Sequence, residues 1–367
     1  MLPALTLLLL PACTAVPRQD PGDSVDSLVQ EGERIGSAEG ARVAVPPEEE
    51  RPLLFLAGPG ADLALLEQAA PGVEIRMPAN RAQALELAPR AHGADARWVD
   101  ASFLEAASSL AWIQVPWAGV DRFLRTPGLE HRPDLVITNM KGMHGPAIAD
   151  HVFALILAQA RRLRQLERAR TEGRWDRSAA AGAWSLEGRT LLVAGLGGIG
   201  TEVARRGHGF GMRVLATRRS RAEGPDFVER VERAPALPEL LPEADILVLA
   251  VPLTEETRGL IGARELDLLP DHALVVNIGR GALLDTGALV EALEEGRLGG
   301  ACLDVTDPEP LPPEHPLWQR EDVWITPHVA GVAELTRRRQ RALLAANLRR
   351  FGAGRPLLNV VDPARGY

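Results

Sequence analysis

Cysteine, tyrosine and long apolar runs are scarce in this chain of 367 residues, and each shortage excludes a class of protein. The two cysteines, Cys13 and Cys302, cannot build a disulfide framework or a cysteine-based metal cluster, so no metal site is expected. No apolar run reaches about 18 residues, so the sequence predicts no membrane-spanning helix. The net charge of -8 argues against nucleic acid and anionic membrane as partners of the folded part.

The composition is otherwise that of a globular protein. Hydrophobic residues make up 46% of the chain and charged residues 25%, which is enough apolar material for a buried core. A chain of this length predicts two domains.

The first 50 residues differ from the rest of the chain. Residues 1–12 are apolar and rich in leucine, and the box Leu10-Pro11-Ala12-Cys13 resembles a bacterial lipoprotein cleavage site. Residues 16–47 are rich in proline, glycine, serine and acidic residues, which predicts a flexible tether that adds nothing to a core. Two interpretations stay open: an exported lipoprotein anchored at Cys13, or a cytoplasmic enzyme whose start codon is misassigned.

The most specific local motif is a glycine turn. An apolar strand runs into Gly195-x-Gly197-x-x-Gly200, and a helical pattern and a second apolar strand at 212–216 follow. This order is what a dinucleotide site needs, because the backbone can then approach a pyrophosphate at the start of a helix. We expect Gly207 and Gly209 to shorten that helix.

The residues after the second strand indicate which dinucleotide binds. An NAD site places a carboxylate there, but this chain has Arg218 and Arg219. Guanidinium groups match a phosphate, so the pair predicts a 2′-phosphate site and hence NADP(H). The alternative is a solvated basic loop.

Strands alternate with helices throughout the first half, which predicts a parallel α/β sheet. The loop 116–121 follows one of these strands, and the backbone N–H groups of Ala118, Gly119 and Val120 could hold an anion there. An ordinary turn is the alternative. The predicted strands are 53–57, 73–76, 97–99, 112–115 and 135–138, with helices at 61–70 and 102–109.

The second half continues the same alternation. Apolar spacing predicts one long helix over 145–170 and a final helix over 333–351. The predicted strands are 244–251, 273–278, 300–305, 323–326 and a last short strand at 357–361, which would return to the first domain.

Four stretches with the glycine turn resemble the D-isomer-specific 2-hydroxyacid dehydrogenase family. They are 244–254 (ADILVLAVPLT), 276–282 (VNIGRGA), 303–312 (LDVTDPEPLP) and 326–331 (TPHVAG), and the resemblance covers about 52–362. It implies two doubly wound parallel-sheet domains, with a Rossmann cofactor domain (145–332) inserted in a discontinuous flavodoxin-like substrate domain (51–144 and 333–367).

Three residues in these stretches match the chemistry of reducing a 2-oxo acid. Arg280 can clamp a carboxylate and polarise the neighbouring ketone. His328 is suited to donate a proton, and Glu309 would sit behind it and stabilise the imidazolium. The resemblance implies these roles for all three.

The resemblance also implies a set of cofactor contacts. Gly198 and Ile199 would touch the pyrophosphate beside the three turn glycines, and Asp304 would face the carboxamide of the nicotinamide. His144, near the domain joint, is a candidate for supporting the site, whereas Trp318 could line the pocket, a subunit contact or the core. The remaining implied cofactor residues are Val251, Pro252, Ile278, Gly279 and Gly331.

The sequence therefore predicts an oxidoreductase that reduces a small 2-oxo acid such as glyoxylate or hydroxypyruvate, prefers NADP(H) over NAD(H), and forms a homodimer. A phosphoglycerate dehydrogenase and a formate- or phosphite-oxidising relative are alternatives, although the family's formate enzymes pair glutamine with the catalytic histidine and this chain has Glu309. A non-enzymatic NAD(P)-sensing protein is the alternative from another class.

Overall fold

The computed structural model describes residues 24–37, 53–219 and 222–363. The lipoprotein-like box that ends at Cys13 lies outside these ranges. Within them, no helix combines the length and the apolar character needed to cross a bilayer.

The first sheet has five parallel strands and the second has seven. The apolar runs are buried along their whole length, as expected for parallel strands covered on both faces. The strands are β1 (Leu53–Leu56), β2 (Val73–Arg76), β3 (Gly93–Asp95), β4 (Trp112–Gln114), β5 (Val136–Thr138), β6 (Thr190–Ala194), β7 (Arg213–Arg218), β8 (Arg230–Arg233), β9 (Ile246–Leu249), β10 (Leu274–Asn277), β11 (Gly300–Leu303) and β12 (Val323–Ile325).

Helices connect and cover these strands. Several begin at a side-chain cap, as where Asp62, Asn80 and Asp100 each accept a bond from a backbone N–H in the first turn. The helices are α1 (Val25–Ile35), α2 (Leu63–Ala69), α3 (Arg81–Leu87), α4 (Ala101–Ala106), α5 (Gly145–Ala160), α6 (Leu163–Thr171), α7 (Gly198–Gly209), α8 (Leu237–Leu240), α9 (Ala263–Leu266), α10 (Thr286–Glu294) and α11 (Glu334–Gly352).

The strand order places a binding crevice in the second sheet. Its order is β12-β11-β10-β9-β6-β7-β8, so the chain leaves β6 toward β7 and later returns to the other side of β6 with β9. Ligands of open α/β sheets bind at such a reversal, beyond the carboxyl ends of the strands. The glycine turn that follows β6 lies there. The first sheet, β2-β1-β3-β4-β5, has its own reversal beside β1.

The helix after the glycine turn is longer than expected. α7 continues through Gly207 and Gly209. A Cβ at Gly207 would overlap with the side chain of Leu191, so this glycine allows the helix to lie close on β6. Close packing therefore offsets the low helix propensity of glycine.

The prediction of one helix over 145–170 is wrong. α5 ends at Ala160 and α6 begins at Leu163. Arg162 adopts a left-handed conformation with φ 57°, which stops the helical hydrogen bonding. The backbone N–H of Trp184 then bonds to the carbonyl of Ala160. Apolar spacing alone could not reveal this break, because the pattern continues across it.

The prediction of a flexible tether over 16–47 is wrong for residues 24–37. α1 packs against α11, and Leu28 and Val29 are buried in the same core as β1. Gly32 lies so close to the carbonyl of Ala342 that a Cβ would overlap with it. Glu33 forms an ion pair with Arg350 across the same contact. A short amphipathic stripe in a polar segment is enough to pack α1 into the core, because α11, which is distant in the sequence, supplies the surface that covers it.

Two strand predictions are also corrected. The predicted strand 97–99 is a 3-10 helix (Ala96–Trp98), because the Asp95 side chain caps it, and the strand lies just before it as β3. The predicted strand 357–361 makes a single antiparallel bridge, Thr138 to Val360. The amide of Asn347 bonds to both backbone groups of Leu358, so those groups are not free for a sheet. β8 was not predicted.

Candidate active site

The glycine turn after β6 is built for close backbone approach. Gly195 has φ 101°, and a Cβ there would lie 2.7 Å from Val251 Cγ1. A Cβ at Gly200 would overlap with the carbonyl of Gly195, whereas in the described residues no atom beyond the chain neighbours lies within 4 Å of a Cβ at Gly197. The first N–H groups of α7, which begins at Gly198, have no partner within the helix. The turn therefore fits a dinucleotide pyrophosphate, which Gly197, Gly198 and Ile199 would hold.

Arg218 and Arg219 lie beside this turn. The carbonyl of Thr217 accepts bonds from the N–H groups of Gly195 and Leu196 at 3.2 and 2.9 Å, so the end of β7 is fixed against the turn. Arg218 is the last residue of β7, and its Nη1 donates to the carbonyl of Glu223 at 2.8 Å. Arg219 is exposed. Two arginines thus follow the turn at the chain position where a dinucleotide site places the residue that contacts the ribose.

The ends of β6, β9 and β10 meet at the same edge. Val251 follows β9 and contacts Gly195. A Cβ at Gly279, which follows β10, would lie 3.1 Å from the carbonyl of Val251. The predicted cofactor residues Val251, Pro252, Ile278 and Gly279 are therefore on neighbouring turns of one crevice.

Arg280 projects from the turn after β10. Asn277 shapes this turn, because its amide donates to the carbonyl of Arg280 at 2.9 Å and accepts from the N–H of Gly279 at 3.1 Å. The guanidinium donates to Asp121 Oδ1 through Nε at 3.3 Å and Nη2 at 3.1 Å. Asp121 lies in the loop after β4 of the first sheet, so this ion pair joins that loop to the turn after β10 of the second sheet.

The loop after β4 presents backbone donors. Two of its carbonyls accept hydrogen bonds from the next segment. The carbonyl of Trp117 accepts from the N–H of Met140 at 3.0 Å, and that of Ala118 accepts from Asn139 Nδ2 at 2.8 Å. Among the described residues, no protein acceptor takes the N–H groups of residues 118–120. Anion binding by these N–H groups stays a prediction, with which their lack of an acceptor in the described residues is compatible.

This loop contacts Arg280. A Cβ at Gly119 would overlap with Nη2 of Arg280. A carboxylate bound by the loop N–H groups would therefore lie beside a guanidinium, and both sets of donors would act on the same anion.

His328 and Glu309 form a hydrogen-bonded pair. His328 Nδ1 lies 2.9 Å from Glu309 Oε1. His328 follows β12 with a left-handed φ of 55°, which is uncommon for a residue with a side chain. Its N–H donates to the carbonyl of Asp304 at 2.8 Å. The pairing at Nδ1 leaves Nε2 as the ring nitrogen that can exchange a proton with a substrate.

Asp304 supports this histidine. Its Oδ1 accepts from the N–H of Val329 at 2.9 Å and from Thr326 Oγ1 at 2.6 Å, and its Oδ2 accepts from the N–H of Ala330 at 2.9 Å. His151 Nε2 lies 2.9 Å from the same threonine hydroxyl. The buried carboxylate therefore fixes the backbone that carries His328, which the sequence interpretation of Asp304 as a cofactor contact did not include.

The structure also places Cys302 and Trp318. Cys302 is fully buried in β11, and burial raises the pKa of its thiol to about 12, so it is no nucleophile. Trp318 is about half exposed, and its Nε1 donates to the carbonyl of Pro312 at 2.9 Å.

Sequence reasoning missed several residues that shape the site. Asp121 lies in the loop 116–121 and Asn139 directly follows the predicted strand 135–138, but their polar contacts depend on segments that are distant in the chain. Gln340 lies in an arginine-rich helix and carries no local signal.

The chain matches a family model over residues 153–330, described as "D-isomer specific 2-hydroxyacid dehydrogenase, NAD binding domain". A glyoxylate reductase of Aeropyrum pernix is 41% identical over 239 residues, which cover 63% of this chain and 70% of that protein. A glyoxylate reductase of Korarchaeum cryptofilum is 38% identical over 267 residues, covering 72% of this chain and 80% of the relative.

Solved structures agree in fold. A D-isomer-specific 2-hydroxyacid dehydrogenase of Xanthobacter autotrophicus Py2, in complex with NADPH and MES, is 30% identical with a TM-score of 0.72 and covers 86% of this chain and 100% of that chain. An NADPH-dependent glyoxylate/hydroxypyruvate reductase of Sinorhizobium meliloti, in complex with NADP and sulfate, is 27% identical with a TM-score of 0.72, covering 86% and 99%. With the glycine turn, Arg280 and the His328–Glu309 pair in place, the chain belongs to the D-isomer-specific 2-hydroxyacid dehydrogenase family and is an NAD(P)-dependent oxidoreductase.

Proposed function

We propose that this enzyme reduces glyoxylate, hydroxypyruvate or a similarly small 2-oxo acid to the D-2-hydroxy acid with NADPH, and catalyses the reverse oxidation. The observation that carries the proposal is the contact between Arg280 and the loop at Gly119, which places a guanidinium beside backbone N–H groups that have no acceptor among the described residues. That arrangement suits a carboxylate next to a ketone. Relatives named glyoxylate reductase support the substrate class.

Substrate binding and proton transfer are assigned to different residues of the site. The N–H groups of residues 118–120 and the guanidinium of Arg280 bind the carboxylate, and Arg280 also polarises the ketone oxygen. A bound reduced nicotinamide supplies the hydride to the ketone carbon. His328 Nε2 gives its proton to the ketone oxygen, while Glu309 holds Nδ1 and balances the imidazolium charge. In the reverse direction neutral His328 takes the hydroxyl proton.

The preference for NADPH rests on Arg218 and Arg219. Both lie at the end of β7, next to the glycine turn, where they can bind a 2′-phosphate. The Sinorhizobium and Xanthobacter relatives, whose structures contain NADP or NADPH, support this choice. NAD(H) is the second, weaker cofactor.

The test is a turnover assay of the purified full chain. Nicotinamide absorbance is followed with a panel of 2-oxo acids and both reduced cofactors, and with 3-phosphoglycerate, formate and phosphite in the oxidative direction. We expect NADPH oxidation with the small 2-oxo acids. Binding of NADPH without turnover of any compound would contradict the proposal and favour a sensing protein. Faster oxidation of 3-phosphoglycerate, formate or phosphite would favour those alternatives.

We propose that the substrate domain comprises 51–144 and 333–367 and that 145–332 is the cofactor domain. α1 extends the substrate domain, because it packs on α11 and shares the core of β1. The Arg280–Asp121 pair would then span the cleft between the domains.

We also propose that the enzyme is a homodimer. Trp175 is 93% exposed in the loop after α6, and tryptophan is enriched at protein–protein interfaces. A second copy would cover it. Sedimentation of the wild type and of Trp175→Asp tests this, and we expect the substitution to shift the dimer toward monomer. A monomeric wild type would refute the proposal.

A further inference from the structure

Gln340 connects the loop at Pro116 with the segment at His144. It lies near the start of α11, and its amide Nε2 is 3.2 Å from the carbonyl oxygen of Pro116 and 3.2 Å from Nε2 of His144. A side-chain amide nitrogen carries two hydrogens, so it can donate to both at once. Pro116 is the first residue of the loop that presents the N–H groups of residues 118–120. Gln340 therefore binds the one carbonyl of residues 116–118 that Met140 and Asn139 leave free.

His144 is suited to accept this bond. Burial lowers its pKa, and only the carbonyl of Met140 opposes that shift, so the ring is neutral near pH 7. A neutral ring with its proton on Nδ1 offers Nε2 as an acceptor. The ring also packs on the segment that carries His328, because a Cβ at Gly331 would lie 3.0 Å from His144 Cδ2.

The segment around His144 also contacts the glycine turn. A Cβ at Gly145 would lie 3.1 Å from the carbonyl of Gly198, and a Cβ at Gly198 would lie 3.8 Å from Cα of Gly142. The segment 142–145 thus contacts the glycine turn and the segment of His328 directly, and it reaches the anion-binding loop through Gln340.

We propose that Gln340 and His144 are a positioning pair that sets the anion-binding loop at the distance from His328 and the cofactor that the 2-oxo acid requires. This inference rests on the proposed function, and neither residue touches the reacting atoms. Gln340 donates one amide hydrogen to the carbonyl of Pro116. His144 accepts the other hydrogen of the same amide and packs against Gly331. The pair acts on substrate binding through the loop.

A loss of Gln340 has a specific kinetic consequence. The Pro116 carbonyl loses its donor, so the loop can rotate away from Arg280 and its N–H groups lose their common direction. Carboxylate binding weakens, whereas the His328–Glu309 pair and the glycine turn keep their own contacts. The KM for the 2-oxo acid should rise while kcat and the KM for NADPH change little.

The experiment compares Gln340→Met, which keeps the length of the side chain without its donors, with Gln68→Met at an exposed position of α2. We expect Gln340→Met to raise the KM for glyoxylate by about tenfold, the scale of one or two lost hydrogen bonds. We expect kcat and the KM for NADPH to stay within about threefold of the wild type, and the control to match the wild type. An unchanged KM for glyoxylate would overturn the proposal, as would equal losses in kcat and in the affinity for NADPH.

A double-mutant cycle tests whether the two residues act as a pair. His144→Phe keeps a ring against Gly331 but cannot accept a hydrogen bond. We expect it to raise the KM for glyoxylate less than Gln340→Met does, and the double variant to show less than the product of the two effects. Multiplicative effects would overturn the pairing. A wild type that reduces no 2-oxo acid would instead refute the proposed function, so the two failures are distinguishable.

Discussion

Glu309 Oε1 lies 2.9 Å from Nδ1 of His328, and this contact joins the loop after β11 to the residue that follows β12. It leaves Nε2 as the nitrogen for proton transfer and places a negative charge behind the ring. The carboxylate therefore lies on the Nδ1 side of the imidazole ring, and the Nε2 side is left for the substrate.

Removal of the proton donor tests the assignment of His328. For His328→Ala we expect kcat for ketone reduction to fall by about 10² to 10⁴, the usual contribution of a positioned acid. The dissociation constant of NADPH, measured by fluorescence titration, should change little because the glycine turn is intact. Near-normal turnover would rule out His328 as the acid.

Glu309→Gln keeps the shape of the pair and removes its charge. An amide at Nδ1 stabilises an imidazolium less than a carboxylate does, so the ring becomes a poorer partner for the reaction. We expect kcat for ketone reduction, measured with saturating NADPH, to fall, but by less than in His328→Ala. A wild-type kcat would make Glu309 a residue of the turn alone.

Gly119→Ala tests the contact that carries the proposed function. The added Cβ would overlap with Nη2 of Arg280 and push the guanidinium from the anion-binding loop. We expect kcat/KM for the 2-oxo acid to fall by about tenfold or more, as for a misplaced substrate clamp. Gly72→Ala is the matched control, since in the described part of the chain no atom beyond its sequence neighbours lies within 4 Å of the added Cβ. Equal activity of the two variants would exclude this loop from the site.

The sequence could single out Gly195, Arg280 and His328 because each lies in a short motif after a strand. The carboxyl ends of parallel strands lie at one edge of a sheet, so these residues need no long-range signal to be assigned to that edge, and their roles stay predictions. By contrast, α1 was missed because its apolar residues gain a partner only in α11, about three hundred residues later. The left-handed Arg162 and the bonds of Gln340 likewise depend on tertiary contacts, which apolar spacing does not report.

The packing of α1 can be measured as stability. Leu28→Ala removes a buried side chain from the contact with α11 and should lower the free energy of unfolding by roughly 2–3 kcal/mol. Thermal unfolding should show a lower Tm, whereas Gln30→Ala, at an exposed position of the same helix, should leave it nearly unchanged. An equal Tm for both variants would mean that α1 does not share the core in solution.

Cofactor preference tests the two arginines at the end of β7. NADH carries no 2′-phosphate for Arg218 and Arg219 to bind, so we expect NADPH to be preferred. Hydrogen bonds to charged groups contribute roughly 1.5–3 kcal/mol each, which converts to a preference for NADPH of about tenfold for one exposed contact and up to a few hundredfold for two.

The substitution Arg218→Asp should reverse the cofactor preference. It removes a phosphate ligand and adds a carboxylate that repels the phosphate and accepts from the ribose hydroxyls. Arg177→Asp, in the 3-10 helix Arg177–Ala180 far along the chain from β7, makes the same change in charge and should keep the wild-type preference. The measurement is the ratio of kcat/KM for the two cofactors at a fixed 2-oxo acid concentration. A wild type that prefers NADH would show that the arginines face solvent and that this loop is only a solvated basic surface.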